Sequence, residues 1–405
     1  MESSYYLLCE ERFFLFQIKI SKRDITELDW CLDEAMFFET GYHHVNQIGQ
    51  TPLQQFINHR LSHYMPFIWP RICKAICSRF FNTYRNSLSK YHQEFYSFSK
   101  DLLQVLRHHK TIIQNWSFAD LAAFLNQCLQ YFLIKLNCNN DLFKSEKQSQ
   151  NTSVLPVYHD LRTLLLSDEI PFKTLLYLCC KANRIDSFEK DATQFAKHYY
   201  LEVLECLESP SWLDEFIQTQ GYFDYNSLYT DTEGRRKHFL IELDNHGELF
   251  FDFLLSEYLL KKGHKITLST KSIPVLNDVT YSDCKELLES TDLQHFQLYI
   301  SSNKLTIIQN GNADVIKSLY DVSEEFKHAY SSCDIVISKG QGHFESFPHC
   351  YIDNTLYTNK LQKIQYKKNH YHLINVKSFI TEQSLQKIHK DTIKSGSLYC
   401  YKFTI

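Results

Sequence analysis

The chain has 405 residues, 44% hydrophobic and 22% charged, with 43 Lys+Arg against 47 Asp+Glu and a formal net charge of −4. That length exceeds one compact core, so a main domain with a second region is expected. The near-neutral balance excludes both a chain too polar to fold and a general attraction to nucleic acid or an anionic membrane.

From about Leu28 to Leu136 apolar residues recur at spacings of three and four, as in Leu102, Leu103 and Leu106 and then Leu121, Phe124, Leu125 and Leu129, which predicts helices. Ser117 with Asp120, just ahead of Leu121, predicts a helix start. The polar stretch 137–153 reads as a linker or exposed loop. It divides a helical N-terminal region, 1–150, from a second domain, 151–405. Helices are predicted over 171–180 and 191–208. After residue 235, β-rich runs alternate with helical ones, with strands predicted at 238–243, 265–269, 296–300 and 334–337. This alternation implies an α/β fold with a mostly parallel sheet, whose ligands bind beyond the C-terminal strand ends.

The most apolar stretch, 249–260, is broken by Asp252, Ser256 and Glu257, so no membrane span is expected. Thirteen cysteines without regular spacing follow an N-terminus that has no basic segment leading into an apolar one. Reduced thiols and a cytoplasmic location are the expectation. Cys73 and Cys77, and the pair Cys179 and Cys180, lack a matching second half for a zinc site. HExxH and GxSxG are both absent.

Chemistry concentrates in four segments. In Ile241-Glu242-Leu243-Asp244-Asn245-His246-Gly247-Glu248 an apolar strand ends on a carboxylate and a carboxamide before a helix whose buried side would carry Leu249, Phe250, Phe253, Leu254, Tyr258 and Leu259. Hard cations such as Mg²⁺ take such oxygen ligands, although Asp and Asn also serve as turn and N-cap residues there. In Ile273-Pro274-Val275-Leu276-Asn277-Asp278-Val279-Thr280 a second carboxylate closes an apolar run, and a Thr280–Asp283 capping pair leaves Asp278 for another role. In the run from Cys333 to Ser346 a strand delivers Lys339 into Gly340-Gln341-Gly342-His343, where small residues let backbone N–H groups approach an anion. Asn183 and Asp186 follow an apolar helix, where a C-cap and a turn residue are the plainer reading.

These four segments, in this order, resemble the damage-control phosphatase family, once known only as domain of unknown function 89, which includes sugar-phosphate phosphatases and acidic-residue methyltransferase-like proteins. The resemblance rests on DNHG with its glutamate and helix, on PVLNDVT with Asp283, on CDIVISKGQGHFES, and on Asn183-x-x-Asp186 with Ala182 in place of the usual glycine. It covers roughly residues 171–378. The resemblance implies an α/β/α sandwich with a helical N-terminal region and a metal-dependent hydrolase acting on small phosphorylated metabolites. Asp244, Asn245 and Asp278 would bind a divalent ion, Mg²⁺, Mn²⁺, Co²⁺ or Ni²⁺. Lys339 and the backbone of Gly340 and Gly342 would hold the phosphate, and His343 and Glu248 would adjoin the substrate. Asn183 and Asp186 would face the substrate or a metal-bound water.

The sequence departs from the family at His246, which replaces a small residue, at Glu248, which directly follows Gly247, and at His343, which replaces asparagine. A polar insertion over 353–369 precedes a strand at 371–377, with Ser378 in place of the family's cysteine. As chemistry, Asp244 or Asp186 would position an attacking water while Lys339 neutralises phosphoryl charge, or Asp244 would attack directly. Carboxyl methyl transfer ranks low because no Gly-rich dinucleotide-type loop is present. Other readings of the same site are action on a phosphorylated ADP-ribose or a modified protein, and a binding protein that has lost catalysis. The insertion reads as a solvated loop in preference to a lid or partner surface, and the sequence leaves a protein partner open.

Overall fold

A computed structural model describes residues 80–81, 84–85, 87–108, 118–138, 141–185, 192–311, 322–346, 369–377, 381–382, 385 and 396–404. Contacts divide the chain into two units, Met1–Leu142 and Phe143–Ile405. In the first, helices α1 (His92–His108) and α2 (Phe118–Lys135) follow the predicted periodicity. Phe95, Phe98, Leu129, Phe132 and Leu133 are buried, and the Phe98 and Phe132 rings stack at 4.6 Å. Ser117, the predicted cap, lies outside the described residues, as do Cys73 and Cys77.

The second unit opens with α3 (Lys144–Leu166). The polar stretch read as a linker is therefore largely helix, and it buries Lys147 and Gln150. Polar composition misled because Lys147 bonds to Asp283 and Asn151 to His246 and Gly247, inside the fold instead of facing water. Then come α4 (Phe172–Ala182), α5 (Ala192–Glu208), α6 (Pro210–Gln220), β1 (Gly221–Phe223), α7 (Tyr225–Thr232), β2 (His238–Glu242), α8 (Leu249–Lys261) and β3 (Lys265–Thr270). The chain continues through α9 (Tyr281–Glu289), a 3-10 turn (Thr291–Phe296), α10 (Gln297–Ser301), β4 (Leu305–Gln309), α11 (Glu324–Ser332), β5 (Ile335–Lys339), α12 (Gly340–Ser346), β6 (Asn369–Asn375) and β7 (Leu398–Thr404). The predicted strand at 296–300 is thus helical, and β4 lies just after it. Phe296 points into the core while Leu298 is exposed, so its apolar run served a turn instead of a sheet.

The strands form one seven-stranded sheet in the order β1-β7-β6-β5-β2-β3-β4. Every neighbouring pair is parallel except β6 with β7. One face carries a large apolar cluster that joins Phe239, Ile241, Ile266 and Leu268 to α3, α4, α8 and α9. The other face is covered by α11, through Phe326 and Tyr330 against Leu240 and Val336, and by α12, through Phe344 against Ile374 and Tyr399. This is the expected three-layer α/β/α sandwich. Phe239, Leu240, Ile241 and Glu242 of β2 are all fully buried, as a central strand covered on both faces requires. Helix α8 is buried nearly all round, including Asp252 and Glu257, and so differs from the one-sided helix its pattern predicted.

Because α8 is enclosed, its polar groups need internal partners. Arg162 of α3 grips Glu257 through two hydrogen bonds of 2.7 Å each, and His295 stands 3.6 Å from the same carboxylate. Replacing Glu257 with Ala leaves the half-buried guanidinium without its carboxylate and should cost about 2 kcal/mol of stability. Urea denaturation of wild type and Glu257→Ala checks this, with the loss appearing in the midpoint at an unchanged slope.

Candidate active site

The sheet order reverses between β2 and β5, since β3 and β4 follow on one side of β2 and β6 on the other side of β5. Such a switch point leaves a crevice beyond the strand ends. The loop after β2 is joined there to the loop after β3 by backbone hydrogen bonds. Val279 N donates to Asp244 O at 2.8 Å, His246 N donates to Asn277 O at 3.0 Å, and Asn245 pairs with Asp278 in an antiparallel bridge. Asp244, Asn245 and Asp278, from two segments far apart in sequence, are thereby brought to one edge. Asp244 is half-buried and the other two are buried. Lys271, at the end of β3, stands 3.5 Å from Asp278 Oδ2.

On the neighbouring strand β5, Lys339 is followed by Gly340 with φ +75°. A Cβ at Gly340 would collide with the Asp244 carboxylate, so this glycine provides both the left-handed turn and the space for that side chain. Residues from Gly340 onward form the short helix α12 instead of an open loop, with Gln341 and Gly342 half-buried at its start. Gly247 has φ +76° and lies where a Cβ would press on Ile185.

Lys339 and Glu248, both assigned to the substrate on sequence grounds, are fully buried. The Lys339 ammonium donates to Cys179 O at 2.7 Å, stands 2.9 Å from Asp252 Oδ1 and lies 3.3 Å from Glu248 Oε2. Glu248 Oε1 accepts from Asn245 N at 3.0 Å and from Asn245 Nδ2 at 3.1 Å. Asn183, the C-cap of α4, donates through Nδ2 to Asp244 Oδ2 at 2.7 Å and to Glu248 Oε1 at 3.0 Å. The pair therefore lies under the site and orients Asn245 and Asp244 from below. Asp252 belongs to the same group, and the sequence showed it only as a break in an apolar helix.

Burial would push the Glu248 carboxyl up, but the Lys339 charge, the Lys377 charge and the bonds from Asn245 and Asn183 outweigh it and leave it lowered. Asp252 is pushed up to about 7, by burial first, with Lys339 opposing and Glu248 reinforcing. Burial would lower the Lys339 ammonium, yet the two carboxylates hold it well above its ordinary range. Lys377, exposed just past β6, is the described cation whose charge reaches this group from the solvent side. Its backbone N donates to Gln341 Oε1 at 2.5 Å.

His343 is buried, and its Nε2–H donates to Leu243 O at 3.0 Å, beneath the strand end. His246 is also buried and bonded to neighbouring elements. Asp186, Ser378 and the insertion as far as residue 368 lie outside the described residues.

A hard divalent ion fits this donor set. Asp244, Asn245 and Asp278 offer oxygens, and Asn183 Oδ1 is buried with no hydrogen-bond partner among the described residues. No three His, Cys, Asp or Glu side chains converge on a metal position among the described residues, so an ion held here would rely on amide oxygens as well as carboxylates. The raised Asp252 carboxyl makes stability pH-dependent even without a ligand. A carboxyl raised in the folded state holds its proton there after the unfolded chain has released it, so the stability that Asp252 contributes falls as pH rises from about 4 towards 7. In chelator, Asp252→Asn should flatten that fall, as read from thermal midpoints between pH 4.5 and 8.

The family profile described as Damage-control phosphatase ARMT1-like domain matches residues 69–380. An uncharacterized protein of Methanocaldococcus jannaschii is 25% identical over 244 residues, 60% of this chain and 70% of that protein. A damage-control phosphatase of Arabidopsis thaliana is 24% identical over 50% of this chain and 56% of its own length. A damage-control phosphatase of Pyrococcus horikoshii is 28% identical over 33% and 43%. The chain thus spans about half the length of the two named phosphatases it matches. The solved structure of a DUF89 family protein from Pyrococcus horikoshii superposes with a TM-score of 0.56 at 18% identity, covering 80% of this chain and 96% of that one, which shows a shared fold. With the profile matching most of its length, the chain belongs to the damage-control phosphatase ARMT1-like domain family.

Proposed function

We propose that the protein is a divalent-metal-dependent phosphohydrolase acting on a small phosphorylated metabolite such as a sugar phosphate. The observation that carries this reading is the meeting of Asp244, Asn245 and Asp278 across the Asn245–Asp278 bridge, beside the bare backbone of Gly340. The names of the Arabidopsis and Pyrococcus relatives support phosphate removal. Asp244, Asn245 and Asp278 would hold Mg²⁺, Mn²⁺, Co²⁺ or Ni²⁺. When bound, such an ion supplies charge neutralisation to phosphoryl oxygens and lowers the pKa of a water.

The chain's own groups take distinct parts. Asn183 fixes the Asp244 carboxylate through its 2.7 Å bond, whether Asp244 orients water or attacks phosphorus itself. Glu248 holds Asn245 by its backbone and its amide. Lys339, buried between carboxylates, sets the charge beneath the site, and the exposed Lys377 is the cation we assign to the incoming phosphate, with the Gly340 and Gly342 backbone beside it. The charge balance of the chain fits a small substrate held by local contacts. Among the described residues no helix is long and apolar enough to cross a membrane.

The test is release of phosphate from a panel of sugar and nucleotide phosphates, a phosphorylated ADP-ribose included, with each of the four metals. Asp244→Ala should lose about a thousandfold in kcat/KM. Gly340→Ala should lose activity comparably, because its methyl would displace Asp244. Lys377→Ala should lose about tenfold or more, mainly in KM. Wild type that turns over nothing with any metal would leave the fold serving as a binding protein.

A further inference from the structure

We infer that His246 and Asp283 form a strut between the two ligand-bearing loops, making His246 a positioning residue for the cation site. The inference rests on the metal-dependent reading above and deepens it. On one side the loops are joined by backbone, from Asp244–Val279 to His246–Asn277. Beyond both ligands, His246 Nε2 meets Asp283 Oδ2 at 3.1 Å. This bond spans the loop after β2 and the start of α9.

The surroundings fix the imidazole's tautomer. Gly247 N–H donates to Asn151 Oδ1 at 3.0 Å, which turns the Asn151 amide so that Nδ2 donates to His246 Nδ1 at 2.9 Å. Nδ1 is therefore the acceptor, and Nε2–H is the donor to Asp283. Asp283 is anchored independently. It closes the capping box of α9 with Thr280, and Lys147 of α3 stands 3.2 Å from the same oxygen. Burial would raise the Asp283 carboxyl, but the bond from His246 and the Lys147 charge hold it well below the carboxylate range.

A small residue at 246 would leave the ligand loops tied on the backbone side alone. Outer partners that orient metal ligands typically govern affinity by ten- to a hundredfold. His246 thus braces the site from between the two loops, and α3 joins it through Asn151.

Calorimetric titration of Mn²⁺ into the full chain tests this, with far-UV circular dichroism and thermal midpoints in chelator measured on each variant. His246→Ala should weaken Mn²⁺ binding about 10- to 100-fold with the fold intact. Asp283→Asn should weaken it too, and the double variant should be less than additive. His246→Gln, which keeps an N–H towards Asp283, should recover most of the loss, and it also serves if the alanine variant does not fold. Lys147→Met, which loosens α3 without cutting the cross-loop bond, should lower the thermal midpoint yet leave Mn²⁺ affinity within about twofold. Wild-type affinity in His246→Ala, no recovery in His246→Gln, or an equal loss in Lys147→Met would overturn the strut alone. A wild type that binds no Mn²⁺ would overturn the cation site and the strut with it.

Discussion

The contact between the Lys339 ammonium and the Glu248 carboxylate, both wholly buried, underlies the arrangement of the whole site. Two charges removed from water are stable only when every remaining donor and acceptor finds a partner. That requirement recruits Cys179 O, Asn183, Asn245 and Asp252 from α4, the loop after β2, and α8. The pair thereby couples β5 to the β2 loop across the switch point. It converts the sheet topology into a fixed placement of Asn183 and Asn245, and through Asn183 of Asp244. Burial raises the Asp252 carboxyl against the opposing Lys339 charge, so Lys339 and Glu248 are the opposed charges that fix the layer beneath the site.

Much of this was legible in the sequence. The switch from helical to strand-rich periodicity after residue 235 gave the parallel sheet, and Asx residues at the ends of apolar runs pointed to Asp244, Asn245 and Asp278, of which the first two follow β2 and the third lies in the loop after β3. What escaped was whatever depends on burial. Lys339 and Glu248 carry the residue types of a phosphate site, and nothing in their spacing says that they lie under the surface. Asp252 sits one turn after Glu248 in an apolar helix. Its pairing became visible only once β5 was laid beside α8. The strand read at 296–300 failed for a related reason, because a short apolar run serves a core-facing turn as well as a strand.

The polar segment 137–153 is the more instructive departure. Composition marked it as solvated, yet Lys147 and Asn151 use their polarity inside the fold, on Asp283, His246 and Gly247. His246 is accounted for by the same contacts. A larger side chain after the Asp-Asn pair has partners waiting on α3 and α9. His343 likewise turns its N–H to the Leu243 carbonyl, behind the loop it supports.

The most direct measurement is anomalous diffraction from crystals of the full chain grown with Mn²⁺. One strong peak should appear within coordination distance of side-chain oxygens of Asp244, Asn245 and Asp278, at the C-terminal end of β2. A peak elsewhere, or none at that edge with Mn²⁺ in excess, would contradict that placement of the cation.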